Sequence, residues 1–361
     1  MTSLCLSASN ANAKIAYSEW ISEIKMRVVA GKYRGKNLAS PKDDRVRPTT
    51  TRIKETLFNV LQGYSQDAVV LDLFAGSGAL GIECLSRGAK EVVFADNNKD
   101  SIELVRKNLQ GIDGNFKVVN SDFSAVLRNA YVTGKKFDMI FVDPPYASGL
   151  GELALGMIFD MNLLKDDGVI VFEHGQEKSY EVSDKRFKQR TKKMGTVVAE
   201  FITRKSVALM AGSFDPFTKG HEAVLDDALS RFDEVWVACL VNPDKKYLFN
   251  SAQRLAIVEC VCKQKKGAYA VYSDKYAVEV AEDVGATVLV RGIRNDKDKT
   301  YEENMAKFNR EHGFETVFIE PDVFSDISST KAKEQIANGD FSSIPSCCVP
   351  LMTSKEFATL D

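Results

Sequence analysis

Long apolar runs are missing from this 361-residue chain. None approaches the roughly 20 residues that cross a bilayer, so membrane insertion is not expected. The cysteines show no C-x-x-C spacing and no density of a secreted disulfide scaffold, which points to free thiols in a reducing cytoplasm. Cys260 and Cys262 fall two positions apart in an expected helix, where side chains diverge, and no histidine cluster accompanies them. No metal site is expected. Residues 1–25 lack the basic-then-apolar order of a secretory signal. They read as an N-terminal extension, with a candidate short helix around Ile15 to Ile24 and an alternative start at Met26. Net charge is only −2, which argues against a wholesale nucleic-acid coat. Internal repeats and low-complexity tracts are absent.

What is present exceeds one core. A chain of this length is expected to divide into two domains, at 26–205 and 206–361. From Ala68 onward short β-branched runs alternate with helical stretches, the pattern of a parallel α/β sheet. Strands are expected at Val69–Leu73, Glu91–Ala95, Phe116–Val119, Met139–Val142 and Val169–Phe172, with helices at Ala79–Arg87, Asp100–Leu109 and Gly151–Met161. Two further strands, around Tyr180–Lys188 and Val197–Thr203, suggest an antiparallel hairpin closing the sheet. A second series follows with almost no linker. Its expected strands are Val207–Ala211, Val235–Leu240, Ala270–Tyr272, Thr287–Val290 and Thr316–Ile319. Its expected helices are Glu222–Phe232, Ser251–Lys263, Ala277–Val284, Tyr301–Glu311 and Ser329–Asn338. A glycine-rich strand-to-helix turn near the start of each series implies two ligand crevices.

In the first series, Asp72, Phe74, Gly76, Ser77 and Gly78 form such a turn, and glycine there tolerates positive φ and lets backbone approach a ligand. Asp96, about 20 residues on, is placed to bind both ribose hydroxyls. Asp122, after the third strand, is placed to accept an adenine amine. Acidic Asp72 beside the turn suits a cationic or amine-bearing ligand better than a pyrophosphate, and S-adenosylmethionine has that character. At the end of the fourth strand stands Asp143-Pro144-Pro145-Tyr146. Its prolines stiffen the turn, leaving the Asp143 carboxylate and the Pro144 carbonyl to hold an exocyclic amine in line with a methyl group, with Tyr146 to stack on the base. A basic strip (Lys32, Arg34, Lys36, Lys42, Arg45, Arg47, Arg52 and Lys54) reads as phosphate-neutralising.

These motifs, with Arg27-Val28-Val29-Ala30-Gly31-Lys32-Tyr33-Arg34-Gly35, Arg47-Pro48-Thr49-Thr50 and Glu55-Thr56-Leu57-Phe58-Asn59, resemble the 16S ribosomal RNA guanine-N2 methyltransferase family over about Met26 to Arg204. The resemblance implies a guanine amine in 16S rRNA or the small ribosomal subunit as target, with Arg34 and Arg47 near RNA and cofactor. It implies in-line methyl transfer with no covalent intermediate. Cys84 and Met194 depart modestly from the family pattern.

In the second series, Gly212-Ser213-Phe214-Asp215-Pro216-Phe217-Thr218-Lys219-Gly220-His221 joins a strand to a helix whose N-terminus attracts anions, and His221 in its first turn can reach a phosphate. His174 and His312 are expected to be structural. The segment resembles the T-x-G-H form of the nucleotidyltransferase motif. With Asn242-Pro243-Asp244-Lys245-Lys246, Arg291-Gly292-Ile293-Arg294-Asn295 and Ile327-Ser328-Ser329-Thr330, it is similar to phosphopantetheine adenylyltransferase over Val207 to Leu351. The resemblance implies that Ser213, Lys245, Arg291 and the backbone at Ala277 hold 4'-phosphopantetheine. ATP would be held by Ser213, Phe214, His221, Gly292, Ile293, Arg294, Glu302 and the loop Phe324, Ser325, Asp326, Ile327, Ser328, Ser329 and Thr330, with Mg²⁺ screening the phosphates. His221 and Lys245 would stabilise the charge that develops on transfer. A homo-oligomer formed through this domain is also implied, though Ser346-Cys347-Cys348 departs from the family. The expected fold class is α/β with two doubly wound Rossmann-like domains, one of methyltransferase and one of nucleotidyltransferase type. The readings weighed against this are an adenine-N6 methyltransferase, an RNA-binding module without catalysis, and a cytidylyltransferase.

Overall fold

The apolar runs become strands buried from both sides. In this computed structural model, residues 26–40, 51–145, 149–242, 245–293, 296–320, 323 and 327–360 are described, except the side chains of 296–302 and 304. The chain divides into two units, Met1–Arg204 and Lys205–Asp361. The N-terminal extension, Arg47, Tyr146, Arg294 and Phe324 to Asp326 lie outside the described residues, as does the Glu302 side chain. Among the described residues no helix is long and apolar enough to cross a membrane.

The first unit's strands are β1 (Val69–Asp72), β2 (Glu91–Asp96), β3 (Phe116–Asn120), β4 (Phe137–Val142), β5 (Leu164–Gly175), β6 (Phe187–Met194) and β7 (Val197–Arg204), in sheet order β3-β2-β1-β4-β5-β7-β6. Pairing is parallel up to β5, and β7 is antiparallel to both its neighbours. Alternate side chains feed two cores. Val70, Phe94, Met139 and Phe141 pack with the helices Thr51–Val60 and Ala79–Ser86 on one face. Leu71, Val93, Ile140 and Val142 pack with Phe123–Val132 and Leu150–Asp160 on the other. That two-sided burial explains the near-continuous apolar runs.

The hairpin at the sheet edge is real, but its first strand is β6, further along than Tyr180–Lys188. Tyr180 and Val182 do pack on the core, which is the pattern the sequence displays. Their backbone is satisfied by one side chain: Val182 N–H donates to Gln189 Oε1 at 2.6 Å, and Gln189 Nε2 donates to the Tyr180 carbonyl at 2.9 Å. The true strand carries Lys188, Arg190, Lys192 and Lys193 between buried Phe187 and Met194, a charged edge that resists pairing with other chains.

The helix Ala79–Ser86 is buried all round because residues 26–38 cover its outer side. Glu83 organises that cover. Its carboxylate accepts the Val29 and Ala30 N–H groups at 2.8 and 2.9 Å, Lys54 Nζ at 3.3 Å and Arg87 Nε at 2.9 Å. Lys54 also donates to the Arg27 carbonyl at 2.7 Å and is fully buried. It therefore leaves the basic strip: a side chain spent inside the fold cannot meet a phosphate. Lys32 is likewise paired with Asp113 at 3.1 Å, though on the surface, where such a pair contributes little.

The second unit is wholly parallel, with β8 (Val207–Gly212), β9 (Glu234–Leu240), β10 (Ala268–Ser273), β11 (Val288–Gly292) and β12 (Glu315–Ile319) in order β10-β9-β8-β11-β12. Helices Lys219–Arg231, Ser251–Cys262 and Ser329–Ala337 share one core with Met210, Val237 and Val290. The helix Ala277–Val284 covers Leu209, Ala238 and Leu289 on the opposite face.

Lys54→Ala leaves the Glu83 carboxylate without its buried cationic partner. The first unit is expected to lose about 3–5 kcal/mol, read as an earlier unfolding transition in a urea titration; an unchanged midpoint contradicts this account of Glu83.

Candidate functional sites

Strand order reverses between β1 and β4, and again between β8 and β11. At such reversals the helices that follow the two strands leave on opposite faces and open a crevice at the carboxyl ends. Among the described residues, Asp72, Gly76, Asp96 and Asp143 fall at the first reversal, and Ser213, Lys245 and Arg291 at the second.

In the first crevice Asp72 ends β1. It is 2 % exposed, and its Oδ2 accepts the Gly81 N–H at 3.0 Å, closing the glycine turn onto its helix. Burial pushes its pKa up to about 8, opposed by the Gly81 amide and reinforced by the charges of Asp143 and Asp96. Gly76 and Gly78 have φ of +53° and +75°. A Cβ at Gly76 would meet nothing within 4 Å, so the turn leaves open space beside its backbone. Gly81 instead serves packing, since a Cβ there would come within 2.3 Å of the Phe94 ring. Asp96 ends β2 and is oriented by the same turn, its Oδ2 accepting the Gly76 N–H at 2.9 Å and its Oδ1 the Asn98 N–H at 2.8 Å. Each oxygen keeps further acceptor capacity. Phe74 packs against Phe123 with ring centroids 5.6 Å apart and the planes tilted by 36°, and Ser77 lies at the turn, its carbonyl accepting Asn108 Nδ2 at 2.9 Å. Asp122 is the N-cap of Phe123–Val132, accepting the Ser124 N–H at 2.9 Å, and that hydrogen bonding holds its pKa below the usual carboxylate range.

Asp143 follows β4, with Pro144 buried and Pro145 exposed. Burial raises the Asp143 pKa to about 7. Its neighbour across the sheet is a residue sequence reasoning missed. β4 and β5 are in register through Val142 and Phe172, so Glu173 is the next position outward, opposite Asp143. Glu173 is 2 % exposed and its Oε1 has no hydrogen-bond partner. Burial, with the charges of Asp143 and Asp72, holds it well above the ordinary range. An acid directly after the apolar run Val169–Phe172 was the signal that could have found it. Arg34 is exposed in the turn of residues 31–35, its N–H donating to the Gly31 carbonyl at 3.2 Å. His174 is structural, held by the Gly175 carbonyl at 2.9 Å and Glu200 at 3.3 Å. His312 contacts the Phe308 carbonyl at 2.9 Å.

In the second crevice the turn after β8 is held from three sides. Buried Asp215 accepts the Leu248 and Phe249 N–H groups, both at 2.9 Å, and pairs with Lys333. Ser329 Oγ donates to the Pro216 carbonyl at 3.2 Å. Arg254, 2 % exposed, donates from Nη1 to the carbonyls of Ser213 at 2.7 Å and Leu240 at 3.1 Å, and lies 4.1 Å from the centroid of the Tyr247 ring. Neither Asp215 nor Arg254 was singled out from sequence, because their work is to position backbone. Thr218 caps the helix Lys219–Arg231 in a reciprocal box with His221. His221 Nδ1 accepts the Thr218 N–H at 3.0 Å, which places the neutral ring's proton on Nε2. Phe214 meets that ring edge-on at 5.2 Å.

Lys245 Nζ lies 3.5 Å from Ser213 Oγ, and Arg291 on β11 donates from Nη1 to the Ala211 carbonyl at 2.8 Å. Serine, lysine and arginine thus gather at the ends of three adjacent strands. Gly292 and Ile293 continue from Arg291, with the Ile293 N–H donating to the Ile319 carbonyl at 2.9 Å. Ser328 caps Ser329–Ala337, Ile327 is half-buried, Thr330 is exposed, and Ala277 opens its own helix.

Two doubly wound domains, an acid-lined one of methyltransferase type and a cation-lined one of nucleotidyltransferase type, are what fold and sites define. The family model described as conserved hypothetical protein 95 matches residues 26–203, and the one described as cytidylyltransferase-like matches 209–335. The first half is 39% identical over 150 residues to ribosomal RNA small subunit methyltransferase D of Escherichia coli K12, covering 41% of this chain and 74% of that one. It is 37% identical over 157 residues to the Haemophilus influenzae protein of the same name, covering 43% and 81%. The second half is 37% identical over 138 residues to phosphopantetheine adenylyltransferase of Porphyromonas gingivalis, covering 38% and 90%. The chain therefore belongs to two enzyme families fused end to end, the ribosomal RNA small subunit methyltransferase D family and the phosphopantetheine adenylyltransferase family.

Asp72 carries a folded-state pKa of about 8 against an ordinary 3.8, so between those values the native state binds the extra proton. Stability of the first unit is then expected to fall as pH rises through that window. Urea titrations across it should show a shallower fall in Asp72→Asn; an equal slope contradicts the assignment.

Proposed function

We propose that the first unit transfers a methyl group from S-adenosylmethionine to the N2 amine of a guanine in 16S rRNA, presented as RNA or as the small ribosomal subunit. The observation that carries this is the Asp143-Pro144 acceptor pair standing beside the glycine turn, with the relatives' names supplying the RNA. Open space at Gly76 and acids at Asp72 and Asp96 fit a ligand that is cationic at sulfur and carries a ribose. That ligand supplies an electrophilic methyl group. Asp143 and the Pro144 carbonyl accept the two amine hydrogens and aim the nitrogen; Tyr146 stacks on the base. The proton lost from nitrogen passes to the Asp143 and Glu173 carboxyl pair, which together can hold it before release to water. Arg34, Arg47 and Arg52 contact RNA phosphates.

The second unit is proposed to transfer an adenylyl group from ATP to 4'-phosphopantetheine, giving dephospho-CoA and pyrophosphate. Ser213, Lys245 and Arg291 bind the acceptor phosphate, whose ionised oxygen needs no base, and the backbone at Ala277 lines its organic arm. ATP supplies the α-phosphorus: the new P–O bond forms there as the bond to the β-phosphate's bridging oxygen breaks. His221 and Lys245 spread the developing charge. Phe214, Gly292 to Arg294, Glu302 and residues 324–330 hold the nucleotide, with Mg²⁺ screening its phosphates. Both reactions are placed in the cytoplasm, and assembly into a homo-oligomer through the second unit is part of this reading.

His221→Ala is expected to lower adenylyl transfer by roughly 10²–10³-fold while leaving methylation intact, and Asp143→Ala to do the reverse. Loss of both activities from either change contradicts two separate sites. Methylation of DNA adenine alone, with rRNA and small-subunit particles untouched, contradicts the RNA assignment.

Because the Asp143 carboxylate must be ionised to accept the amine, methylation kcat/KM should rise with pH through about 7. A flat profile through that region contradicts this role.

A further inference from the structure

Three thiols that are scattered in sequence meet in the second unit. Cys260 lies near the end of the helix Ser251–Cys262, and Cys347 and Cys348 sit in the one-turn helix Ser346–Cys348. Their Sγ atoms all lie within 4.8 Å of one another, and the Cys347 and Cys348 sulfurs are 3.7 Å apart. This is the one such group of three metal-capable side chains among the described residues. Cys262 is not in it; two positions along the helix it turns to the core, 5 % exposed.

We propose that Cys260, Cys347 and Cys348 form a binding site for one soft, thiophilic d¹⁰ cation of the Zn²⁺ or Cu⁺ class. Metal–sulfur bonds of about 2.3 Å place ligand sulfurs roughly 3.8–4.0 Å apart in tetrahedral or trigonal geometry, so the thiols need to close by less than about 1 Å. Cys348 is fully buried while Cys260 and Cys347 remain half-exposed, which gives the cation an entry side. All three are free thiols. The Cys260 thiol donates to the Cys347 carbonyl at 3.1 Å and the Cys348 thiol to the Ile257 carbonyl at 3.4 Å. Such S–H donors are weak and readily exchanged for a metal bond. Burial raises the Cys347 and Cys348 pKa values. Each thiol that ligates must give its proton to solvent as the metal–sulfur bond forms.

The site would fasten the C-terminal segment. That segment is already tied to the start of the same helix, where Gln253 Nε2 donates to the Phe357 carbonyl at 2.9 Å and Asn250 Nδ2 to the Leu360 carbonyl at 2.5 Å. A cation at the helix end would clamp the segment at both extremities. Arg254, which holds the Ser213 carbonyl, lies on the helix between them. The proposal is independent of either catalytic assignment.

The test uses the reduced full-length protein under anaerobic conditions, titrated with Co²⁺ as a probe for Zn²⁺ and with Cu⁺ against a chromophoric chelator. We expect one equivalent of cation bound, a near-ultraviolet sulfur-to-cobalt charge-transfer band, and a higher unfolding temperature with Zn²⁺ present. Cys260→Ser/Cys347→Ser should weaken binding by at least ~10-fold, and Cys262→Ser should leave it unchanged. Binding of neither cation, or binding undiminished in the double variant, overturns the proposal. If the double variant does not fold, alkylation of the wild-type protein decides: Zn²⁺ or Cu⁺ should shield Cys260 and Cys347 from iodoacetamide, and equal labelling with and without metal overturns it.

Discussion

Parallel strands can be joined only by crossovers, and these run right-handed, so wherever the strand order turns back the connecting helices leave on opposite faces and the sheet's carboxyl edge stays open. The proposed site residues that end these strands depend on that constraint. In the first unit it brings Asp72, Gly76, Asp96 and Asp143 to one edge through β1, β2 and β4. In the second it brings Ser213, Lys245 and Arg291 together through β8, β9 and β11. The two crevices share a geometry and differ in electrostatics. One is lined by carboxyls, of which Asp72 and Glu173 are buried, and Asp72, Asp143 and Glu173 are held above their ordinary pKa. The other presents lysine and arginine beside the turn that leads from β8 into the helix Lys219–Arg231. A cationic methyl donor with an amine acceptor suits the first, and phosphates suit the second.

Around each edge stands a layer of polar residues whose work is placement. Glu83 ties residues 29–30 to the helix behind the glycine turn through two backbone amides. Asp215 and Arg254 do the corresponding work in the second unit, fixing the backbone on either side of Ser213 and Phe214. Buried charges of this sort are tolerable only when hydrogen-bonded from several directions. Glu173 lacks a partner at Oε1. Glu173 falls in the proposed site, where an acid without a partner is suited to chemistry with a substrate proton.

Legibility in the sequence followed how local the cause was. The helix Ala277–Val284 was read to the residue, and the buried strands to within a few, because two-sided burial writes itself as β-branched runs. The strand at 187–194 was placed too early because Tyr180 and Val182 imitate strand alternation while Gln189 satisfies their backbone. Lys54 read as a phosphate-binding cation because a charge run is one-dimensional; its partner Glu83 lies 29 positions away. The same limit hid the meeting of Cys260 with Cys347, 87 positions apart. The glycine turn and the Asp143-Pro144 and Thr218–His221 segments were legible in position because each is set by a few consecutive residues.

The central claim is that one chain carries two separate adenosine-binding crevices, one lined by carboxyl groups and the other by lysine and arginine. Titration calorimetry tests it most directly, with S-adenosylmethionine added to the full-length protein first alone and then in the presence of saturating ATP. The account predicts one equivalent of S-adenosylmethionine bound in both cases, and one of ATP bound alongside it. Displacement of either ligand by the other, or no uptake of S-adenosylmethionine by the folded protein, would contradict it.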